Sequence, residues 1–155
     1  MAIEIERKFL LKDNSWRLRA NAGIHYRQGY LIGAERASVR VRIEGERANL
    51  NIKGVTSGLS RSEFEYAIPV ADAESLLNEL CDPAQIEKIR YHLDYANHRW
   101  EIDQFLGRNL GLIVAEIELQ DEHEPFQRPP WLGEEISHDT RYFNVCLSRH
   151  PFNCW

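Results

Sequence analysis

Polar and apolar residues alternate from the start of the chain. In Ile3-Glu4-Ile5-Glu6-Arg7-Lys8-Phe9-Leu10, Glu4, Glu6 and Lys8 share one face of a strand, and Ile3, Ile5, Arg7 and Phe9 share the other, because successive side chains of a strand point to opposite faces. The same period returns along the sequence. A second strand is predicted from roughly His25 to Ile32, with Arg27 as its candidate inward cation. Ala37 to Glu44 places Val39, Val41 and Ile43 against Ser38, Arg40 and Arg42. A tight turn at Glu44-Gly45-Glu46-Arg47 leads into Ala48 to Gly54, where Leu50 and Ile52 oppose Asn49, Asn51 and Lys53. Beyond the Gly54 to Ser60 loop, Arg61, Glu63 and Glu65 line one face and Phe64, Tyr66 and Ile68 the other.

The period then changes. From Asp72 to Leu80 the apolar residues Ala73, Leu76, Leu77 and Leu80 have helical spacing, which predicts an amphipathic helix, N-capped by Asp72, lying on one side of the sheet. Alternation resumes over Gln85 to Tyr95, with Lys88, Arg90 and His92 opposite Ile89, Tyr91 and Leu93, and over Arg99 to Leu106, with Asp103 taken as inward. Leu112 to Gln120 completes the set, with Glu116, Glu118 and Gln120 opposite Ala115, Ile117 and Leu119. Ser15 to Ala22 reads as a short helix or loop and Asp121 to Gly133 as a loop. A terminal helix is predicted from roughly Thr140 to Ser148, capped by Asp139 or Ser137 and ended before Pro151.

A chain of 155 residues, 43% hydrophobic and 28% charged, is read as one domain, 1–155, with a substantial core. The net charge of -5 argues against a broad basic surface, so nucleic acid and anionic membranes are not expected partners, although a local basic pocket stays compatible. No apolar run exceeds Leu112-Ile113-Val114-Ala115 and the acidic N-terminus lacks a secretory signal, so a cytoplasmic location is expected. Cys81, Cys146 and Cys154 form an odd set and fit reduced thiols. Neither they nor the six histidines fall at zinc spacing, which leaves oxygen ligands for any metal.

About eight antiparallel strands therefore carry ionisable side chains on one face. An open sheet with one face in water would show this, and so would a barrel with a polar interior. Solvated faces usually mix Thr, Ser, Gln and Lys; repeated carboxylates and arginines favour the second arrangement. The predicted fold is a β-dominated α+β domain, a closed eight-stranded antiparallel barrel with covering helices. Its inward acids would be Glu4, Glu6, Glu63, Glu65, Asp103, Glu116 and Glu118; its inward bases would be Lys8, Arg40, Arg42, Lys53, Arg61, Lys88 and Arg90, with Arg27 added. Clustered carboxylates are costly in low dielectric without counter-ions, and they suit hard divalent cations such as Mg²⁺ or Mn²⁺. The neighbouring arginines and lysines suit phosphate oxygens.

Glu4-Ile5-Glu6-Arg7-Lys8 resembles the Glu-x-Glu-x-Lys signature of the CYTH superfamily, the triphosphate tunnel metalloenzymes. The likeness extends through Arg27-Gln28-Gly29-Tyr30-Leu31, Val39-Arg40-Val41-Arg42, Asn51-Ile52-Lys53-Gly54, Arg61-Ser62-Glu63-Phe64-Glu65-Tyr66, Glu87-Lys88-Ile89-Arg90-Tyr91, Trp100-Glu101-Ile102-Asp103, Ala115-Glu116-Ile117-Glu118 and the closing Gly133-Glu134-Glu135-Ile136 with Tyr142 and Asn144. Ser137 stands where members often carry Thr, which preserves a hydroxyl. The resemblance implies a triphosphate-bearing small molecule bound with one or two Mg²⁺ or Mn²⁺ ions. Glu4, Glu6, Glu116 and Glu118 would be metal ligands, and Glu63, Glu65 and Asp103 would serve a second metal or orient the attacking water. Lys8, Arg40, Arg42, Lys53, Arg61 and Arg90, with Arg27 added, would grip phosphates, and Lys88 would be the general acid. It also resembles the short bacterial branch, which implies hydrolysis of inorganic tripolyphosphate or a related triphosphate. Adenylate cyclase, thiamine triphosphatase and a non-catalytic polyphosphate-binding module are the alternatives, and a homodimer is the default assembly.

Overall fold

The alternating segments become β1 (Ala2–Leu11), β2 (Ile24–Gly33), β3 (Ala37–Glu44), β4 (Arg47–Gly54), β5 (Ser60–Ile68), β6 (Ile86–Tyr95), β7 (His98–Phe105) and β8 (Ile113–Glu118), joined by a short β9 (Leu132–Glu135). The computed structural model describes residues 2–33 and 35–155. Neighbours are hydrogen-bonded in the order β5-β4-β3-β2-β6-β7-β8-β1, and β1 also pairs with β5, so eight strands close into a barrel. Every pairing is antiparallel. Between β6 and β7 the two-residue turn Ala96-Asn97 has φ 47° and 67°, the left-handed pair that lets a tight hairpin follow the strand twist.

β1 is the seam. On one side Glu6 to Leu10 pair with β8; on the other, Ala2 to Ile5 pair with β5, while Phe9 and Leu11 pair with β9. β9 thus fills the stretch of β1 that β5 leaves open, where an unpaired edge would otherwise be exposed. It falls at the end of the predicted 121–133 loop because four residues are too few for alternation to be read. Gly133 makes the approach possible, since a Cβ there would lie 2.8 Å from the Leu10 carbonyl oxygen.

The two helices do different work. α1 (Val70–Glu79) begins two residues before the predicted start, after Pro69; Asp72 makes no cap and lies in the first turn, near the positive end of the helix. It covers the outside of the barrel, burying Ala73 and Leu77 with Val41 and Ala48. α2 (Asn144–Arg149) is shorter than predicted, because Thr140–Tyr142 form a separate 3-10 turn with Asp139 accepting from the Arg141 amide. α2 also enters the barrel's end. Its Leu147, fully buried, joins Ile86, Phe105 and Val114, which share the inward parity of Lys88, Asp103 and Glu116 two residues along. The interior is therefore ionic along part of its length and apolar at the α2 end.

A third apolar cluster lies outside β1, β7 and β8, where Phe9, Trp100 and Ile117 are covered by Trp16 and Trp131. Trp100 meets Phe9 and Trp131 edge to face at 5.9 and 5.5 Å, the offset geometry that ring quadrupoles favour. Among the described residues no helix is long and apolar enough to cross a membrane.

Candidate active site

The ionic faces of the eight strands meet around a channel of about 330 Å³. Glu4, Glu6 and Lys8 from β1, Arg40 and Arg42 from β3, Lys53 from β4, and Arg61, Glu63 and Glu65 from β5 all line it, as do Lys88, Arg90, Glu116 and Glu118 from β6 and β8. Strand parity brings residues that are distant in sequence to one point: Lys8 is directly opposite Glu116, and Glu6 opposite Glu118. Burial deepens from Glu118, exposed at the mouth, through Glu116, to Val114 in the apolar end.

Two predicted residues sit elsewhere. Arg27 points out of the barrel, donating to Gln85 Oε1 at 3.1 Å and to Asn78 Oδ1 on α1 at 2.9 Å. Tyr26, Gln28 and Tyr30 hold the inward parity of β2, so Arg27 is not a phosphate ligand of this channel. Asp103 faces inward but lies behind the lining, fully buried, 2.8 Å from Lys88 Nζ and bonded twice at 2.7 Å by Arg90. Its carboxylate is taken up by two cations and is not presented to a metal or a water in the channel. The alternation does not single out other lining residues: Glu44 and Glu101, the rings of Tyr26, Tyr30 and Phe143, and Asn144, which enters the sequence reading only through the family likeness and without a role. Glu101 shares the parity of Asp103 and could have been found that way. The α2 pair has no periodic signal at all.

Most charges are matched. Glu4 takes Lys53 Nζ at 3.0 and 3.1 Å and Arg61 Nε at 2.9 Å. Burial would push Glu4 up, but these two cations outweigh it and hold the carboxyl down at about 2. Glu116 takes Lys8 Nζ at 3.3 Å and Arg90 Nη2 at 3.4 Å. Arg90 also holds Glu101 at 2.6 Å; despite burial, that attraction and His92 bring Glu101 to about 2.

Glu6 and Arg40 are not matched, and Lys88 is shifted even though Asp103 pairs with it. Glu6 has no cation at ion-pair distance among the described residues; burial, then Glu116, raise it to about 8, so it is protonated at neutral pH. Arg40 is 6% exposed and its Nε and Nη2 find no acceptor. Burial and the neighbouring Arg42 lower its pKa, the mark of a cation among cations. Lys88 is brought down to about 8 by burial, although Asp103 pulls the other way.

The donor set fits a hard divalent cation in its chemistry. Burial, and then the charge of Glu116, raise Glu6 to about 8, and a cation held by these carboxylates would replace that proton. Among the described residues no three acids, cysteines or histidines already close on one point, for lysines occupy the counter-ion positions. Seven cations and eight carboxylates line the channel. With a divalent ion added the lining turns net positive, as a polyanion requires.

A family model for the CYTH domain matches residues 2–146. An inorganic triphosphatase of Acetivibrio thermocellus is 43% identical over 152 residues, spanning 98% of this chain and 97% of that protein. An inorganic triphosphatase of Nitrosomonas europaea is 35% identical over 150 residues, spanning 94% of this chain and 96% of that one. A crystal structure of an inorganic triphosphatase superposes with a TM-score of 0.66 at 31% identity, over 96% of this chain and 95% of its own. A Hippeastrum protein named for adenylyl cyclase, with a dominant triphosphatase activity, shares the fold alone: TM-score 0.56, 10% identity, 78% of this chain and 80% of that one.

Proposed function

Because the chain belongs to the CYTH domain family, we propose that it hydrolyses inorganic tripolyphosphate, or a related triphosphate, with Mg²⁺ or Mn²⁺ held by glutamates of its channel. The observation that carries this reading is Arg40: a buried guanidinium with two unpartnered nitrogens, facing the same space as Arg42, Lys53 and Arg61. Leaving such donors unsatisfied is expensive, and two oxygens of one phosphate group can accept from both nitrogens.

Glu6, Glu116 and Glu118 would hold the cation, with Glu4 beside them. A bound divalent ion supplies charge neutralisation on the phosphoryl oxygens and acidifies water. The chain's own groups do the rest. Arg40, Arg42, Lys53 and Arg61 bind and align the phosphates from the β3–β5 side, and Lys8 and Arg90 from the opposite wall. Glu63 and Glu65 orient the water that attacks the terminal phosphorus in line. As that P–O bond forms, the bridging P–O bond breaks. Lys88, poised at about 8 and so still protonated at neutral pH, donates its proton to the departing bridging oxygen. Orthophosphate and pyrophosphate result.

Free Cys81, Cys146 and Cys154 support a reducing compartment, the cytoplasm, as the working location. The deciding experiment is phosphate release from tripolyphosphate, thiamine triphosphate, ATP and long-chain polyphosphate, with Mg²⁺ or Mn²⁺ and with EDTA. Tripolyphosphate should be turned over fastest, and EDTA should silence the reaction until metal is restored. Cyclic AMP from ATP would make the protein a cyclase, and binding without release would make it a polyphosphate-binding module.

A further inference from the structure

Lys88 is buried on all sides but one. Its Nζ lies 5.9 Å from the Tyr26 ring and 5.6 Å from the Phe105 ring. It donates to Asp103 Oδ2 at 2.8 Å and, from the other side, to Asn144 Oδ1 at 3.3 Å. An ammonium has three N–H bonds in tetrahedral array. With Asp103 as its single acceptor it could spin about that bond. With a second acceptor on a different element, the direction of the third N–H is fixed, and the channel is the side that remains.

Asn144 is itself held. Its Oδ1 also accepts from Gln28 Nε2 at 3.1 Å, and Gln28 is fully buried. Two donors, an ammonium and an amide N–H, converge on one oxygen, so the Asn144 amide can face only one way round. Asn144 opens α2, the helix whose Leu147 fills the apolar end of the barrel. The docked helix therefore brings a polar acceptor to a lysine 56 residues earlier in the chain, on β6, the strand that pairs with Gln28's own β2.

We propose that Asn144, held by Gln28, is a positioning residue for Lys88: by accepting one of its N–H bonds it aims another at the bridging oxygen of the departing phosphate, so that proton donation depends on α2 being docked. The inference rests on the reading of Lys88 as the proton donor, and a double-mutant cycle separates the two. Steady-state hydrolysis of tripolyphosphate is measured for Asn144→Leu, Lys88→Ala and the pair. Asn144→Leu should lower kcat about tenfold or more with KM within about twofold, and should lower it no further in the Lys88→Ala background. Equal losses in both backgrounds, or an unchanged kcat, would overturn the proposal. If Lys88→Ala alone leaves kcat unchanged, the donor reading falls first and this inference with it. Thermal melts check that each variant is folded; should Asn144→Leu fail to fold, Gln28→Leu, which frees the Asn144 amide, carries the same cycle and must show the same dependence on Lys88.

Discussion

Glu6 and Asp103 are both inward acids, yet their surroundings drive them in opposite directions. Burial and Glu116 raise Glu6 to about 8, whereas Arg90 and Lys88 overcome burial and hold Asp103 well below the usual carboxylate range. The consequence for stability has a definite sign. Between the ordinary 4.5 and about 8, folded metal-free protein keeps a proton on Glu6 that the unfolded chain has lost, so stability falls as pH rises through that window. Melting in EDTA should show this decline, and Glu6→Gln should flatten it; an unchanged slope would remove Glu6 as its source. Asp103 acts oppositely, contributing stability above its unfolded pKa that is lost as pH falls. Asp103→Leu would strand two buried cations and should cost about 3–5 kcal/mol in urea unfolding. Charge and parity made most of this residue set legible in the sequence. Arg27 was misplaced because the charge rule picks the arginine of its strand, while the wall there is built from Tyr26, Gln28 and Tyr30. Asp103 was assigned the right face, but its partners could not be read from alternation, which says nothing of depth.

At the scale of elements, the strands followed from period two because each has one face in the channel and one against apolar cover. β9 did not, and α2 was expected as a helix but not with its true start, for a shared reason: both are short, and both are fixed by what they meet. β9 exists where β1 has an unfilled edge, and α2 where the barrel end needs filling. Gly133 is the test of the first. Gly133→Ala would bring a methyl to within 2.8 Å of the Leu10 carbonyl oxygen, against backbone that cannot swing away. β9 should separate from β1, with a loss of about 2 kcal/mol and faster amide exchange at Lys12 and Ile136, whose N–H groups donate across that seam to the Trp131 and Lys8 carbonyls. Exchange unchanged from the parent would show that the pairing tolerates the methyl.

At the scale of the molecule, the barrel inverts the usual distribution of charge. The apolar clusters lie outside the strands and at one end, and the middle holds like charges that are only partly compensated. A ligand that completes the compensation should stabilise the whole. Tripolyphosphate with Mg²⁺, at about 100 times its dissociation constant, should add about 2.7 kcal/mol, read as a higher melting temperature. Arg40→Ala should remove most of that gain, because it deletes the guanidinium with free donors.

The plugging of the barrel by Leu147 also governs traffic. With Ile86, Phe105 and Val114 packed around that leucine, what enters past Glu118 must go out past Glu118. Pyrophosphate then shares its exit with the incoming substrate and should inhibit competitively, raising the apparent KM while leaving the maximal rate untouched. Inhibition that lowers the maximal rate instead would show that pyrophosphate can bind while substrate occupies the channel.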